Sequence, residues 1–260
     1  MYETITFTVE NAVARITLNR PDSANGMNLK LMQELADAVH HCEEQSVRAV
    51  IIGGSGRFFS AGGDLASFAA ELEHLPRLLN ELTLYLHMAI SRLARMNAPV
   101  IAAVHGPCAG AGMSLASACD LVYAAESASF TMAYTAAGLS PDGSSTYFLP
   151  RRIGELRTRE LMLTNRKLSA EEAADWGLVT KVVADDKLEQ SVQELADKLA
   201  KGPTLAFGKV KALLNDTFSH GLETQMELET RSIAASARTK DALEGIDAFL
   251  NKRKPTFTGS

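Results

Sequence analysis

Two runs of small residues stand out for the chemistry their backbone could do. They are Phe59-Ser60-Ala61-Gly62-Gly63-Asp64-Leu65 and Ala109-Gly110-Ala111-Gly112-Met113-Ser114, and each follows a short apolar segment. Small residues let a backbone come close to a ligand and leave N–H groups free to point at it. Two N–H groups converging on one oxygen make an oxyanion hole, in which each donor is worth roughly 3–4 kcal/mol of transition-state stabilisation. The same runs are equally compatible with two tight turns that only pack. A third segment, Gly138-Leu139-Ser140-Pro141-Asp142-Gly143-Ser144-Ser145, supplies a carboxylate at Asp142. Between proline and glycine an aspartate reads, on its own, as ordinary surface-turn chemistry.

Other chemistries fit less well. Gly110 and Gly112 have no third glycine to complete a dinucleotide fingerprint, and no phosphate-binding GxxxxGK[ST] run exists. Gly112-Met113-Ser114-Leu115-Ala116 approximates a serine nucleophile elbow, with alanine where the last glycine belongs. Its nearest candidate bases, His87 and His105, have no evident orienting carboxylate, so a serine hydrolase ranks low. Cys42, Cys108 and Cys119 are an odd count without metal-ligand spacing, as expected of buried reduced thiols. No metal site is expected.

The elements that must carry these segments are legible from periodicity. Of 260 residues, 46% are apolar and 22% charged, a globular balance that excludes disorder and leaves enough chain for a core. The net charge of −5 argues against a nucleic-acid-binding face. The apolar stretch from Ala98 to Ala125 is interrupted by His105, Pro107, Ser114 and Asp120, so no membrane span is expected. The opening MYETITFTVE shows no secretory pattern, from which a cytoplasmic location is expected.

Ile5, Phe7 and Val9, then Val13, Ile16 and Leu18, predict a hairpin turning at Asn11. Leu29, Met32, Leu35, Ala36 and Val39 predict a helix from Asn28, and Leu75 through Leu93 a longer one. Ala49–Ile52, Val100–Val104 and Leu121–Ala124 read as buried strands. The stretch from His105 to Asp120 reads as a tight turn entering a helix. Strands alternating with helices give an α/β class. Ser169 with Glu172 predicts a capping box, Gly177 a helix stop, and Pro203 the first residue of a following helix. Past Lys201 only helical patterns remain, dividing the chain into 1–200 and 201–260.

Taken together, LNRPDSAN, FFSAGGDL, PVIAAVHGPCAGAGMSLASACDLVYAAESASFTM, GLSPDGSSTYFLPRRIG, LSAEEAADWGLV and AFLNKRKPTFTG resemble the crotonase (enoyl-CoA hydratase/isomerase) superfamily, in the family's order over nearly the whole chain. The resemblance implies an α/β spiral of ββα repeats with a C-terminal helical region used in trimerisation, and a homotrimer or dimer of trimers. It implies acyl-CoA or aryl-CoA thioester substrates, coenzyme A being part of the substrate and no separate cofactor being needed. The family's oxyanion donors map onto the backbone N–H groups of Gly63 and Ala111. Its CoA-binding loop maps onto Ala61, Gly62, Asp64 and Leu65, and a basic CoA-phosphate contact maps onto Lys252.

The departures bear on the reaction. Hydratases of the family use two glutamates to hold and activate water, and this chain has Ser114 and Tyr134 in their places. Neither hydroxyl is a general base of the carboxylate kind at neutral pH. Asp142 instead matches the aspartate of several isomerases of the family, and MAYTAAGLSPD is similar to the MAxxxxGLxPD run of ring-1,2-epoxyphenylacetyl-CoA isomerases. The resemblance therefore implies an isomerase that shuttles one proton through Asp142, with Met132, Tyr134 and Ser114 lining the acyl pocket. Hydration with an atypical base remains an alternative. So does aryl-CoA dehalogenation, in which the same aspartate attacks the ring and a histidine base is also required.

Overall fold

Why the chain begins with a hairpin is visible in its turn. β1 (Ile5–Glu10) and β2 (Val13–Leu18) pair antiparallel, joined by Asn11 and Ala12 at φ 50° and 62°. Two successive left-handed residues give the turn twist that matches two right-twisted strands. The computed structural model describes residues 2–260.

From the hairpin the chain alternates strand and helix: α1 (Leu29–Glu44), β3 (Ala49–Gly54), the short α2 (Leu65–Ala69) and the long α3 (Leu75–Arg95). Then come β4 (Val100–Val104), β5 (Pro107–Ala109), α4 (Ala111–Ala118), β6 (Leu121–Ala125) and β7 (Ser129–Thr131). α5 (Ser145–Ile153), α6 (Glu155–Thr164), β8 (Leu168–Ser169), α7 (Ala170–Asp175), β9 (Lys181–Val183) and α8 (Leu188–Ala200) complete the mixed part. The main sheet runs β1-β2-β3-β4-β6-β9 and is parallel from β2 onward; a second sheet runs β5-β7-β8. The main sheet is covered on both faces. Val50, Ile52, Val100, Ala102 and Val104 join the cluster that includes α1 and α3, whereas Ala49, Ile51, Ile101 and Ala103 face α8. Alternation of this kind is what a strand buried on both sides must show.

Three details differ from the sequence reading. Between β4 and α4 the chain is not a bare turn, because Pro107–Ala109 forms β5 against β7. Ser169 caps α7 by accepting from the Glu172 amide at 3.1 Å, but the Glu172 carboxylate bonds Arg166 instead of closing the box. Pro203 precedes the next helix rather than opening it, its ψ of 83° lying outside the helical range.

The chain then runs through α9 (Thr204–Asp216), α10 (Leu222–Ser236) and α11 (Lys240–Leu250). Lys211 on α9 is buried and donates to the carbonyls of Leu93 and Ala98, each at 2.9 Å, with its Nζ 2.7 Å from Asp120. α10 buries none of its side chains, and Leu222, Met226, Ile233, Phe249 and Leu250 are exposed on the helical end. No described helix is long and apolar enough to cross a membrane, and no group of three or more potential metal ligands occurs among the described residues. The three cysteines are buried and unbridged, and burial pushes the Cys42 and Cys119 thiols up to about 12.

Candidate active site

The first small-residue loop is held by the segment before α1. Asn25, fully buried, accepts from the Arg20 amide at 2.8 Å and donates to the carbonyls of Ser55 at 2.9 Å and Phe58 at 2.8 Å. Ser60 Oγ donates to the Asn25 carbonyl at 2.9 Å and accepts from the Gly62 amide at 3.1 Å. Met27 and Gly63 then form a parallel bridge, made by Met27 N–H to the Gly62 carbonyl at 2.7 Å and Asp64 N–H to the Met27 carbonyl at 3.2 Å. Because the flanking residues make the bonds in such a bridge, the N–H of Gly63 itself points the other way. Gly63 also lines the cavity described below.

The second loop supplies the matching donor. Gly110 turns at φ 49°, ψ −125°, a conformation that suits glycine, and α4 begins at Ala111. The first N–H groups of a helix have no intrahelical acceptor, so the Ala111 amide is free for a ligand. The helix dipole adds positive character there. The loops meet backbone to backbone: a Cβ placed on Gly62 would stand 3.0 Å from the Ala109 carbonyl oxygen and 3.2 Å from the Ala111 nitrogen.

Gly63 and Ala111 both line one cavity of about 230 Å³. Leu65, Phe68, Leu79 and Leu82 make its apolar wall, Asn80 and Thr83 add polar groups, and Asp142 is the one carboxylate among its described lining residues. The Asp142 backbone is set in a strained turn: Gly143 and Ser144 both have positive φ, 58° and 63°, and the Asp142 carbonyl accepts from the Ser145 amide and hydroxyl. The Gly143 amide donates to His87 Nε2 at 3.2 Å. Tyr134 Oη donates to Asp142 Oδ1 in a short hydrogen bond and lies 3.0 Å from Ser114 Oγ. Burial, then the negative charge of Asp142, raises the Tyr134 phenol well above its ordinary value, so it stays protonated.

Two small-residue loops and a single carboxylate thus meet at one largely apolar cavity, an arrangement able to stabilise a developing negative charge. Residues 8–260 match the family model described as enoyl-CoA hydratase/isomerase. The chain belongs to the enoyl-CoA hydratase/isomerase family. It is 39% identical to 1,2-epoxyphenylacetyl-CoA isomerase of Escherichia coli (strain K12), with 100% of each chain covered. It is 36% identical to 4-chlorobenzoyl coenzyme A dehalogenase-2 of an Arthrobacter species, over 93% of this chain and 88% of that one. A crystal structure of an enoyl-CoA hydratase from Polaromonas sp. JS666 superposes with a TM-score of 0.93 at 33% identity, covering 98% of this chain and 99% of that one. Three different reactions carry those names, so membership of the enoyl-CoA hydratase/isomerase family fixes the scaffold and leaves the reaction to the site.

Of the residues singled out from sequence, Gly63, Ala111, Ala61, Leu65, Tyr134 and Asp142 all line the cavity. Met132 and Ser114 do not. Both are fully buried, Met132 in the core and Ser114 behind Tyr134 on α4, because the chain turns outward only at Ala133, whose φ is 57°. Gly62 and Asp64 also sit off the wall. Gly62 spends its amide on Ser60 and its carbonyl on Met27, while Asp64 caps α2 through the Ser67 amide and pairs with Arg20 at 2.8 Å. Burial would raise the Asp64 carboxyl, but Arg20 and the Ser67 donors outweigh it and hold it below the usual carboxylate range. Lys252 lies exposed after α11, outside the lining, at φ 53°. Ser114 has no histidine partner: His87 bonds Gly143 and His105 bonds the Gly56 carbonyl at 3.0 Å. Sequence reasoning missed Asn80 and Thr83, although polar residues three apart inside the apolar run of α3 were a signal, and it weighed His87 only as a base for Ser114.

Proposed function

We propose that this chain is an acyl-CoA thioester isomerase that moves a double bond, from 3-enoyl-CoA to 2-enoyl-CoA or in a ring-epoxide aryl-CoA, by shuttling a proton through Asp142. The observation that supports the reading is that one carboxylate, not two, lines the cavity that Gly63 and Ala111 also line. Adding water takes a base for the nucleophile and an acid for the carbon being protonated, which a pair of carboxylates supplies. Ser114 is buried behind the wall and Tyr134 is locked as a neutral phenol, so neither replaces a second carboxylate.

A double-bond shift needs less. Asp142 takes the proton from carbon 2, and the C–H electrons move through the thioester onto its oxygen, giving a dienolate held by Gly63 and Ala111. The same carboxyl then returns the proton to carbon 4, the carbonyl re-forms, and the double bond ends between carbons 2 and 3. No water has to be positioned, and proximity does the rest. Ala61 and Leu65 would border the CoA arm, with Lys252 contacting a CoA phosphate from a neighbouring copy. The exposed apolar residues of α10 and α11 would close a trimer or a dimer of trimers.

The test is incubation with 3-hexenoyl-CoA, followed by NMR and mass spectrometry. We expect 2-hexenoyl-CoA, and a turnover ~10²–10⁴-fold lower in Asp142→Asn, the usual worth of a general acid/base. Accumulation of 3-hydroxyhexanoyl-CoA, or a loss under tenfold in Asp142→Asn, would overturn the assignment. A second reading, aryl-CoA dehalogenation by the same aspartate, needs a histidine base as well, and His87, beside the Asp142 turn, spends its Nε2 lone pair on the Gly143 amide and lies outside the cavity lining, which ranks that reading below the isomerase. Chloride released from 4-chlorobenzoyl-CoA would select it.

A further inference from the structure

Three oxygens run from Asp142 and Tyr134 on the cavity lining to Ser114 behind it, in an order that fixes their protons. An ionised carboxylate only accepts hydrogen bonds, so the bond between Tyr134 and Asp142 Oδ1 is donated by the phenol. The phenol has one proton, which that bond uses. The 3.0 Å contact between Tyr134 Oη and Ser114 Oγ must then be donated by the serine, in preference to its longer contact of 3.3 Å to the Gly110 carbonyl. Ser114 is fully buried on α4, the helix whose first amide, Ala111, opens on the cavity. The absence of a side chain at Gly143 lets the Asp142 turn close on it, since a Cβ there would stand 2.8 Å from Ser114 Cβ. Thus the helix that carries an oxyanion donor and the turn that carries the acid are joined through Tyr134.

We infer that Tyr134 is a positioning residue that holds Asp142 by Oδ1, leaving Oδ2 alone to take and return the substrate proton, and that Ser114 aims Tyr134 by donating to it. The inference rests on the Asp142 reading above. With one oxygen fixed, removal at carbon 2 and return at carbon 4 occur at the same atom and on the same face of the acyl chain. The proton is passed on before the carboxyl can turn and trade it with water.

The experiment uses 3-hexenoyl-CoA deuterated at both carbon-2 positions, in ordinary water, reading kcat, KM and deuterium carried to carbon 4. Tyr134→Phe keeps the ring that lines the cavity, so KM should stay within about twofold while kcat falls ~10–100-fold, the scale of a misplaced reacting group. Deuterium at carbon 4 should fall with it. Ser114→Ala should show a smaller loss of both. Because Ser114 acts through Tyr134, the double variant should be no worse than Tyr134→Phe alone, where independent sites would multiply. Wild-type kcat and deuterium transfer in Tyr134→Phe would overturn the inference, as would multiplying losses in the double variant for the part given to Ser114. Should Tyr134→Phe fail to fold, reduced deuterium transfer in Ser114→Ala decides the case alone. Asp142→Asn separates the two levels: an inactive Asp142→Asn beside a fully active Tyr134→Phe defeats the relay only, and an active Asp142→Asn defeats the isomerase reading itself.

Discussion

Replacing Gly62 by alanine should damage turnover far more than stability. Gly62 has φ +93°, a conformation L residues avoid, so alanine costs roughly 1–2 kcal/mol in backbone strain. For a chain of this size that is a fall in Tm of about 2–8 °C. The new methyl also has neighbours: the Ala109 carbonyl oxygen at 3.0 Å, Gly110 Cα at 3.1 Å and the Ala111 nitrogen at 3.2 Å. All three are backbone, so relief comes only from parting the two loops by a few tenths of an ångström. The parting moves Gly63 and Ala111, the two amides proposed above as donors to one oxygen. Losing the alignment of one donor costs ~2.7–4 kcal/mol of transition-state stabilisation, or roughly 10²–10³ in kcat. Gly154→Ala is the control, because Gly154 shares the strained φ, +82°, and a methyl placed there would have nothing within 4 Å. The assay is kcat and KM on 3-hexenoyl-CoA beside thermal unfolding for both variants. We expect a Tm loss in both variants, the larger in Gly62→Ala by what parting the loops costs, and a kcat loss confined to Gly62→Ala. A folded Gly62→Ala with kcat within about threefold of wild type would refute the two-donor geometry.

Two stability predictions follow from buried charges. Lys211→Met removes the cation from Asp120 and the donor from the Leu93 and Ala98 carbonyls and should cost about 2–3 kcal/mol, under the ~3–5 kcal/mol of a fully buried pair because Asp120 keeps the Val100 amide and some solvent contact; an unchanged Tm would show that α9 is held elsewhere. Glu34 accepts from the Thr4 hydroxyl and the Glu3 and Thr4 amides, and although burial would raise its carboxyl, these donors and Lys30 hold it below its ordinary value of 4.5. With its folded value depressed, Glu34 stabilises fully above pH 4.5 and loses that contribution as pH falls through the folded value. Tm measured from about pH 6 to pH 3 should therefore fall less steeply in Glu34→Gln, and parallel curves would refute the linkage.

What the sequence disclosed and withheld follows from range. Val100–Val104, the Leu75–Arg95 helix and the helix that follows Asn28 are set by residues within a few positions of one another, and periodicity reads them correctly. β5, β7 and β8 are two or three residues long and hold together by pairing with each other, so no local pattern marks them. Leu79 and Leu82 illustrate the ambiguity at the site: an apolar residue on a helical stripe looks the same whether it faces a core or an acyl cavity. Met132 is misassigned to the pocket for the converse reason, since the left-handed Ala133 that turns the chain outward leaves no mark in an alanine. The contact between His87 and Gly143 spans 56 positions and depends on how α3 crosses the Asp142 turn.

Ser114, Tyr134 and Asp142 are where the scaffold and the reaction separate. The amides at Gly63 and Ala111 could stabilise a developing negative charge on a thioester oxygen whichever reaction follows, so they say nothing of whether water is added or a proton merely moved. That choice lies in what stands opposite them. Two free carboxylates would order a water between them. Here the serine and tyrosine hydroxyls bond each other and the one carboxylate, so their polar groups are spent before a substrate arrives. Ser114→Glu would place a buried charge beside Tyr134 and Asp142, against both desolvation and like-charge repulsion. A change of reaction on this scaffold would therefore require replacing the three together, because each is chemically committed to the next.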